Sequence, residues 1–192
     1  AAEALTQRAL LNEDRLQSRW ERGTLYNLVG DVQRKAGDLR GAEESFSKAC
    51  HIMSQIGNVD LWACEANLGL VYADLNRWPD SFSHYVSALN VAVSTSNHYA
   101  EVLIRTLQIL PAIHLADWHL VDFNLNERLE DAECDYRHLD VLDSLERGVE
   151  ALMVQGEVSR AKKAAQLTLR QLEHLGGDQR KRTFQALIQG LY

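Results

Sequence analysis

The side chains whose types could do chemistry are few and poorly placed for it. His114 and His119 lie five residues apart, about 500° around a helix, so they miss a common face by roughly 140°. Asp135 and His138 can share a face behind Glu130-Asp131, which makes the best metal-like cluster. Acidic residues beside a helix junction serve as caps and solvated charges more often than as ligands. Cys50 adjoins His51, but neighbouring helical residues point about 100° apart, which separates a nucleophile from its base. No HExxH, GxSxG, Walker or GxGxxG pattern is present. The residues point to a non-enzymatic chain with no metal and no cofactor.

The elements that would carry these residues announce themselves as a repeat. In RKAGDLRGAEESFSKA (34–49), Gly37 suits a left-handed helix end and Asp38 a helix start. Ala42, Phe46 and Ala49 then fall at i, i+4 and i+7, one apolar stripe. Turn-like residues return at Asn76-Arg77-Trp78, Ala116-Asp117-Trp118 and Gly156-Glu157-Val158, at steps of 39, 40 and 40. The same steps carry Ala42 to Ser81, Val121 and Ala161, and Phe46 to Tyr85, Leu125 and Ala165. Gly30 maps to Gly69, where a missing side chain would let two helices approach. Breaks between units fall at Gly57-Asn58, Ser96-Asn97, Asp135-Tyr136 and Gly176-Gly177.

Turns, breaks and packing columns agree on an all-α solenoid of four helix pairs. The expected units are 22–58, 59–97, 98–136 and 137–176, flanked by an N-terminal helix (about 2–20, within 1–21) and a C-terminal capping helix (177–192) in one domain of ten helices. In the first unit, helix A runs to about Ala36 and helix B from about Leu39 to Ile56. Pro79 sits where a helix start tolerates a missing N–H. Pro111, inside LIRTLQILPAIHLA, should kink or break the third helix A.

Composition narrows the partners. A net charge of −7 argues against a general nucleic-acid or anionic-membrane binder. Arg180-Lys181-Arg182 reads as the solvated start of a terminal helix. Cys50, Cys64 and Cys134 are odd in number and far apart, which fits reduced thiols and a cytoplasmic setting. No apolar run approaches about 18 residues, so no membrane span is expected. The chain opens as if already inside a helix, as a piece of a longer protein would.

These residues resemble the tetratricopeptide repeat family. Tyr26-Asn27-Leu28, Gly30, Gly37-Asp38-Leu39, Ala42, Phe46 and Ala49 look like its signature, and Leu68-Gly69, Tyr72, Trp78, Ala88 and Leu89 look like a second copy. The family's usual period is 34 residues; 39–40 resembles the extended repeats of kinesin light chains and of bacterial regulators of the maltose-activator type. The resemblance implies a right-handed α-α superhelix whose helices A line a concave face.

By that pattern the partner-binding residues are Asn27, Asp31 and Arg34 in the first unit, and Asn67, Leu70 and Asp74 in the second. Arg105 and His114 follow in the third, with Glu146 and Glu150 in the fourth. Family members that clamp a C-terminal carboxylate use Lys and Asn; the matching positions here hold Asn27 and Asp31, then Ala66 and Leu70, so that reading is rejected. The expectation is a protein- or peptide-binding scaffold of a cytoplasmic regulatory or signalling protein, its partner segment basic or apolar. The alternatives are a small-molecule effector-sensing domain of a transcriptional regulator, or a homodimer formed through the terminal helices. For the last, Phe184, Leu187, Ile188 and Leu191 form an apolar face.

Overall fold

The computed structural model describes residues 4, 6–8, 11, 13, 16, 18–131, 138–175 and 178–190. From Arg19 onward, the described residues form ten helices. They are α1 (Arg19–Lys35), α2 (Leu39–Gln55), α3 (Leu61–Asp74), α4 (Trp78–Ser94), α5 (His98–Leu107), α6 (Ile109–His114), α7 (Trp118–Glu130), α8 (Leu139–Val154), α9 (Val158–Leu175) and α10 (Asp178–Gly190). The chain divides into two compact units, Ala1–Ala100 and Glu101–Tyr192.

The repeat is written in the backbone. Gly37, Asn76, Ala116 and Gly156 all take positive φ (84°, 56°, 56° and 76°) two residues past a helix A. The next N–H in each case reaches back five residues: Asp38 to Gln33, Arg77 to Tyr72, Asp117 to Ala112 and Glu157 to Leu152, at 2.8–3.0 Å. This closure satisfies the last carbonyls of the helix and turns the chain. Only Gly adopts the left-handed region freely, so Ala116 holds its turn at a steric cost. Gly57 and Ser96 repeat the device between one helix pair and the next.

In the first unit α1 packs on α2 and α3 on α4. Phe46 and Tyr85 are 0% and 1% exposed, each under a glycine of the facing helix. A Cβ on Gly30 would stand 2.8 Å from the Phe46 ring, and one on Gly69 2.5 Å from Tyr85. Burying such a ring contributes roughly 2–3 kcal/mol. Between the pairs, Ala49, Cys50 and Met53 of α2 share a core with Cys64, Leu68 and Val71 of α3. Cys50 and Cys64 are free and buried. A hydrogen bond with Cys64, reinforced by burial, pushes the Cys50 thiol far above its ordinary range. Cys134 lies outside the described residues.

In the second unit α6 packs on α7 and α8, and α8 on α9. Val121, Leu125, Ala161 and Ala165 are all 0% exposed, which completes the two packing columns. The third helix A is two helices, since α5 stops at Leu107 and α6 begins at Ile109. Pro111 has no N–H for the Leu107 carbonyl, and its ring crowds that carbonyl, so the break falls one turn upstream of it. Ten helices are found, but for a different reason than expected. The broken third helix A supplies one of those counted from Arg19 onward; ahead of them, residues 4 and 6–8 are helical within the stretch assigned to the N-terminal helix. At Ser18 a capping box with Glu21 starts α1 at Arg19, inside the stretch assigned to that helix. The breaks expected at Asp135-Tyr136 and Gly176-Gly177 lie outside the described residues.

Candidate functional site

The compact unit Ala1–Ala100 brings together the site residues expected of the first two repeats. Asn27, Asp31 and Arg34 come from α1, and Asn67, Leu70 and Asp74 from α3, the helices A of successive repeats. Asn67 Nδ2 donates to Asn27 Oδ1 at 3.0 Å, and Arg34 Nη1 to Asp74 Oδ2 at 3.0 Å. Trp20 Nε1 donates to Asp60 Oδ2 at 3.4 Å. All three pairs span forty residues and repeat every seven along α1, two helical turns apart. They form a polar ladder between the two helices, with the Arg34 side chain only 10% exposed.

The ladder alters the roles read from sequence. Asn27, Arg34, Asn67 and Asp74 hold one repeat against the next. Asp31 accepts from Lys35 Nζ at 2.7 Å and stays half-buried. Leu70 is 7% exposed, so it packs inward and presents almost no surface.

In the compact unit Glu101–Tyr192, Arg105 is bound to Glu101, donating from Nη2 at 2.9 Å, and its guanidinium lies 5.7 Å from the Phe123 ring. Partial burial and the Arg147 guanidinium hold the His114 imidazole below its ordinary pKa. Glu146 stands 3.4 Å from Arg180. Burial, with Asp143 and Glu150 on the same helix, raises its carboxyl against the pull of that arginine. Glu150 is exposed. This face of α8 carries Asp143, Glu146 and Glu150, with Arg147 at 3.7 Å from Asp143, and one carboxylate is held in an environment that disfavours its charge.

Sequence reasoning missed two clusters because the repeat pattern directs attention to helix A. A cleft of about 400 Å³ is lined by Glu13, Tyr26, Ser47, Lys48, His51 and Ile52, mostly from the outer side of α2. Tyr26 donates its hydroxyl to Glu13 at 2.6 Å, and this bond, with burial, pushes the phenol up to about 12. The second cluster stacks His84 on Tyr72 with ring centroids 5.1 Å apart, while Arg77 lies 4.5 Å from the Tyr72 ring. His84 Nδ1 lies 2.8 Å from Glu65, and Tyr72 donates to Glu43 at 2.7 Å. Both are made of residues from distant positions, with no spacing signal to reveal them.

Among the described residues no group of three or more His, Cys, Asp or Glu side chains is placed to hold a metal ion. Asp135, one member of the metal-like cluster read from sequence, lies outside them. No helix of the described residues is long and apolar enough to cross a membrane.

The fold is similar to that of BtubC (BKLC) from P. vanneervenii, a helical-repeat protein known from its crystal structure. The TM-score is 0.73 at 17% sequence identity, over 100% of this chain and 83% of that one. No family model matches the sequence, and no curated protein matches it.

Proposed function

We propose that the chain is a non-enzymatic, tetratricopeptide-like binding scaffold of a cytoplasmic regulatory protein, holding a segment of a partner protein along its helix-A faces. The observation that carries this reading is the ladder Trp20–Asp60, Asn27–Asn67 and Arg34–Asp74, which fixes two successive helices A side by side. Polar groups held in place before a ligand arrives lose little freedom on binding, which is what a recognition surface needs. The exposed carboxylate of Glu150, one turn from Glu146, favours a segment bearing Lys or Arg at that end of α8.

The test is a screen of the whole chain against an immobilised peptide library that varies charge at fixed length. Enrichment of basic or basic-apolar peptides, weakened by Glu150→Lys, supports the reading. Preference for acidic peptides, or hits insensitive to helix-A substitutions, would reject it.

A further inference from the structure

The outer face of α1 is open where the same face of α3 is closed. Gly30 and Gly69 are equivalent, each beneath an aromatic ring of its own helix B. Their offset of 39 carries Leu25 to Cys64, Leu28 to Asn67 and Val32 to Val71. On α3 these positions are covered. Cys64 and Val71 are 2% and 0% exposed in the core shared with α2, and Asn67 is bonded to α1. On α1, Leu28 is 60% exposed and Val32 37%. Among the described residues, the surface that stacks one repeat on another thus continues onto α1 with Leu25 half-buried and Leu28 and Val32 exposed.

Its charges are arranged in a particular order. At about 100° per residue, Glu21, Leu28 and Lys35 lie within roughly 20° of one line along the helix. Thr24 flanks that line on one side and Val32 on the other. Leu28 is the midpoint, seven residues from an acid and seven from a base. Lys35 holds Asp31 at 2.7 Å yet keeps 60% of its side chain exposed, with further ammonium donors to offer.

We propose that this face joins two copies of the chain, α1 against α1 antiparallel, about a twofold axis at Leu28. One operation then sets Leu28 on its symmetry mate, Val32 on the partner's Thr24, and Lys35 beside the partner's Glu21. The reciprocal contacts follow from the symmetry. A parallel arrangement would oppose like charges at both ends and is disfavoured. One helix face per copy is a small interface, so association falls on the order of 100 μM, in the weak class.

Sedimentation equilibrium of the whole chain over that concentration range tests the pairing. Leu28→Glu should weaken self-association at least tenfold with helix content unchanged, and Lys35→Glu several-fold. Leu28→Cys, in a Cys134→Ser background, should give a covalent dimer under mild oxidation by a disulfide reagent, while Ser47→Cys on α2 should not. A chain that stays monomeric overturns the proposal, as does a dimer indifferent to Leu28→Glu or one broken by Phe184→Ser on α10. Peptide capture by the Leu28→Glu variant, measured in parallel, separates loss of the dimer from loss of the scaffold function.

Discussion

Arg34 of α1 donates to Asp74 of α3 at 3.0 Å across forty residues of sequence, with side chains 10% and 25% exposed. The pair is charged, largely desolvated and located where one repeat meets the next. A fully exposed ion pair contributes little, and one partly screened from water, as here, contributes more. The pair therefore acts as a tie between repeats, and any partner on the helix-A face meets it already neutralised.

Arg34→Ala should lower stability by about 1–2 kcal/mol in urea unfolding, because Asp74 loses a charge-assisted bond. Asp74→Ala should cost a similar amount. The double variant should cost less than the sum, with a coupling of about 1 kcal/mol. Strict additivity would show that the two residues do not act on each other.

Substituting two helical glycines should give opposite signs. At Gly69 a Cβ would meet Tyr85 Cε1 at 2.5 Å, and that ring is 1% exposed with no room to withdraw. Gly69→Ala is expected to destabilise by about 1–3 kcal/mol despite its better helix propensity. At Gly148 the nearest group is Ile113 Cδ1 at 3.4 Å, an ordinary contact. Gly148→Ala should stabilise by about 0.5–1 kcal/mol. Thermal melts of the two variants side by side decide the matter, and equal signs would contradict the packing described.

What the sequence revealed is what repeats enforce. Gly37, Asn76, Ala116 and Gly156 recur because each helix A must end in a left-handed residue, and that demand falls on one position whatever the neighbours do. Phe46, Tyr85, Leu125 and Ala165 recur because helix B must fill one slot. The site was less legible, because a solvent-facing position carries no such constraint. The family pattern set Asn27 and Arg34 toward a partner, yet Asn67 and Asp74 of another repeat bond to them. Leu70 was placed in the groove by the family pattern and packs inward in the fold. The contacts around Tyr72 and His84 depend on packing that no local spacing encodes.

Asn124 of α7 is 0% exposed, and neither its amide oxygen nor its nitrogen has a hydrogen-bond partner. Equivalent positions in other repeats are satisfied or apolar. Ser45 donates to Gln33 at 2.6 Å, His84 faces Glu65 at 2.8 Å, and Ala164 is buried without polar atoms. A buried amide without partners is costly, and an apolar side chain of similar shape removes that cost. Asn124→Leu should therefore raise stability by about 1 kcal/mol, read from the urea midpoint at unchanged slope. A loss of similar size would show that the amide is engaged in the folded protein in solution.

Glu146 gives the fold a pH dependence of defined sign. Burial first, then Asp143 and Glu150, raise its carboxyl above the ordinary 4.5, and Arg180 offsets only part of this. A carboxyl that ionises less readily when folded than when unfolded favours the fold below its ordinary pKa, and that contribution is lost as pH rises through the raised value. Glu146→Gln removes the charge that the site disfavours. Its contact with Arg180 is a small loss, since that arginine side chain is 61% exposed at 3.4 Å. The variant should be more stable than the parent at pH 7, and the gap should close as pH falls below 4.5. Thermal unfolding of both proteins from pH 4 to pH 8 reads the difference directly. A gap that widens on acidification would mean that Arg180 dominates and that the carboxylate is held as a charge. A lysine-bearing peptide seated on α8 should also shrink the gap at neutral pH, because its cation would stabilise Glu146 in the parent and leave the glutamine variant unmoved.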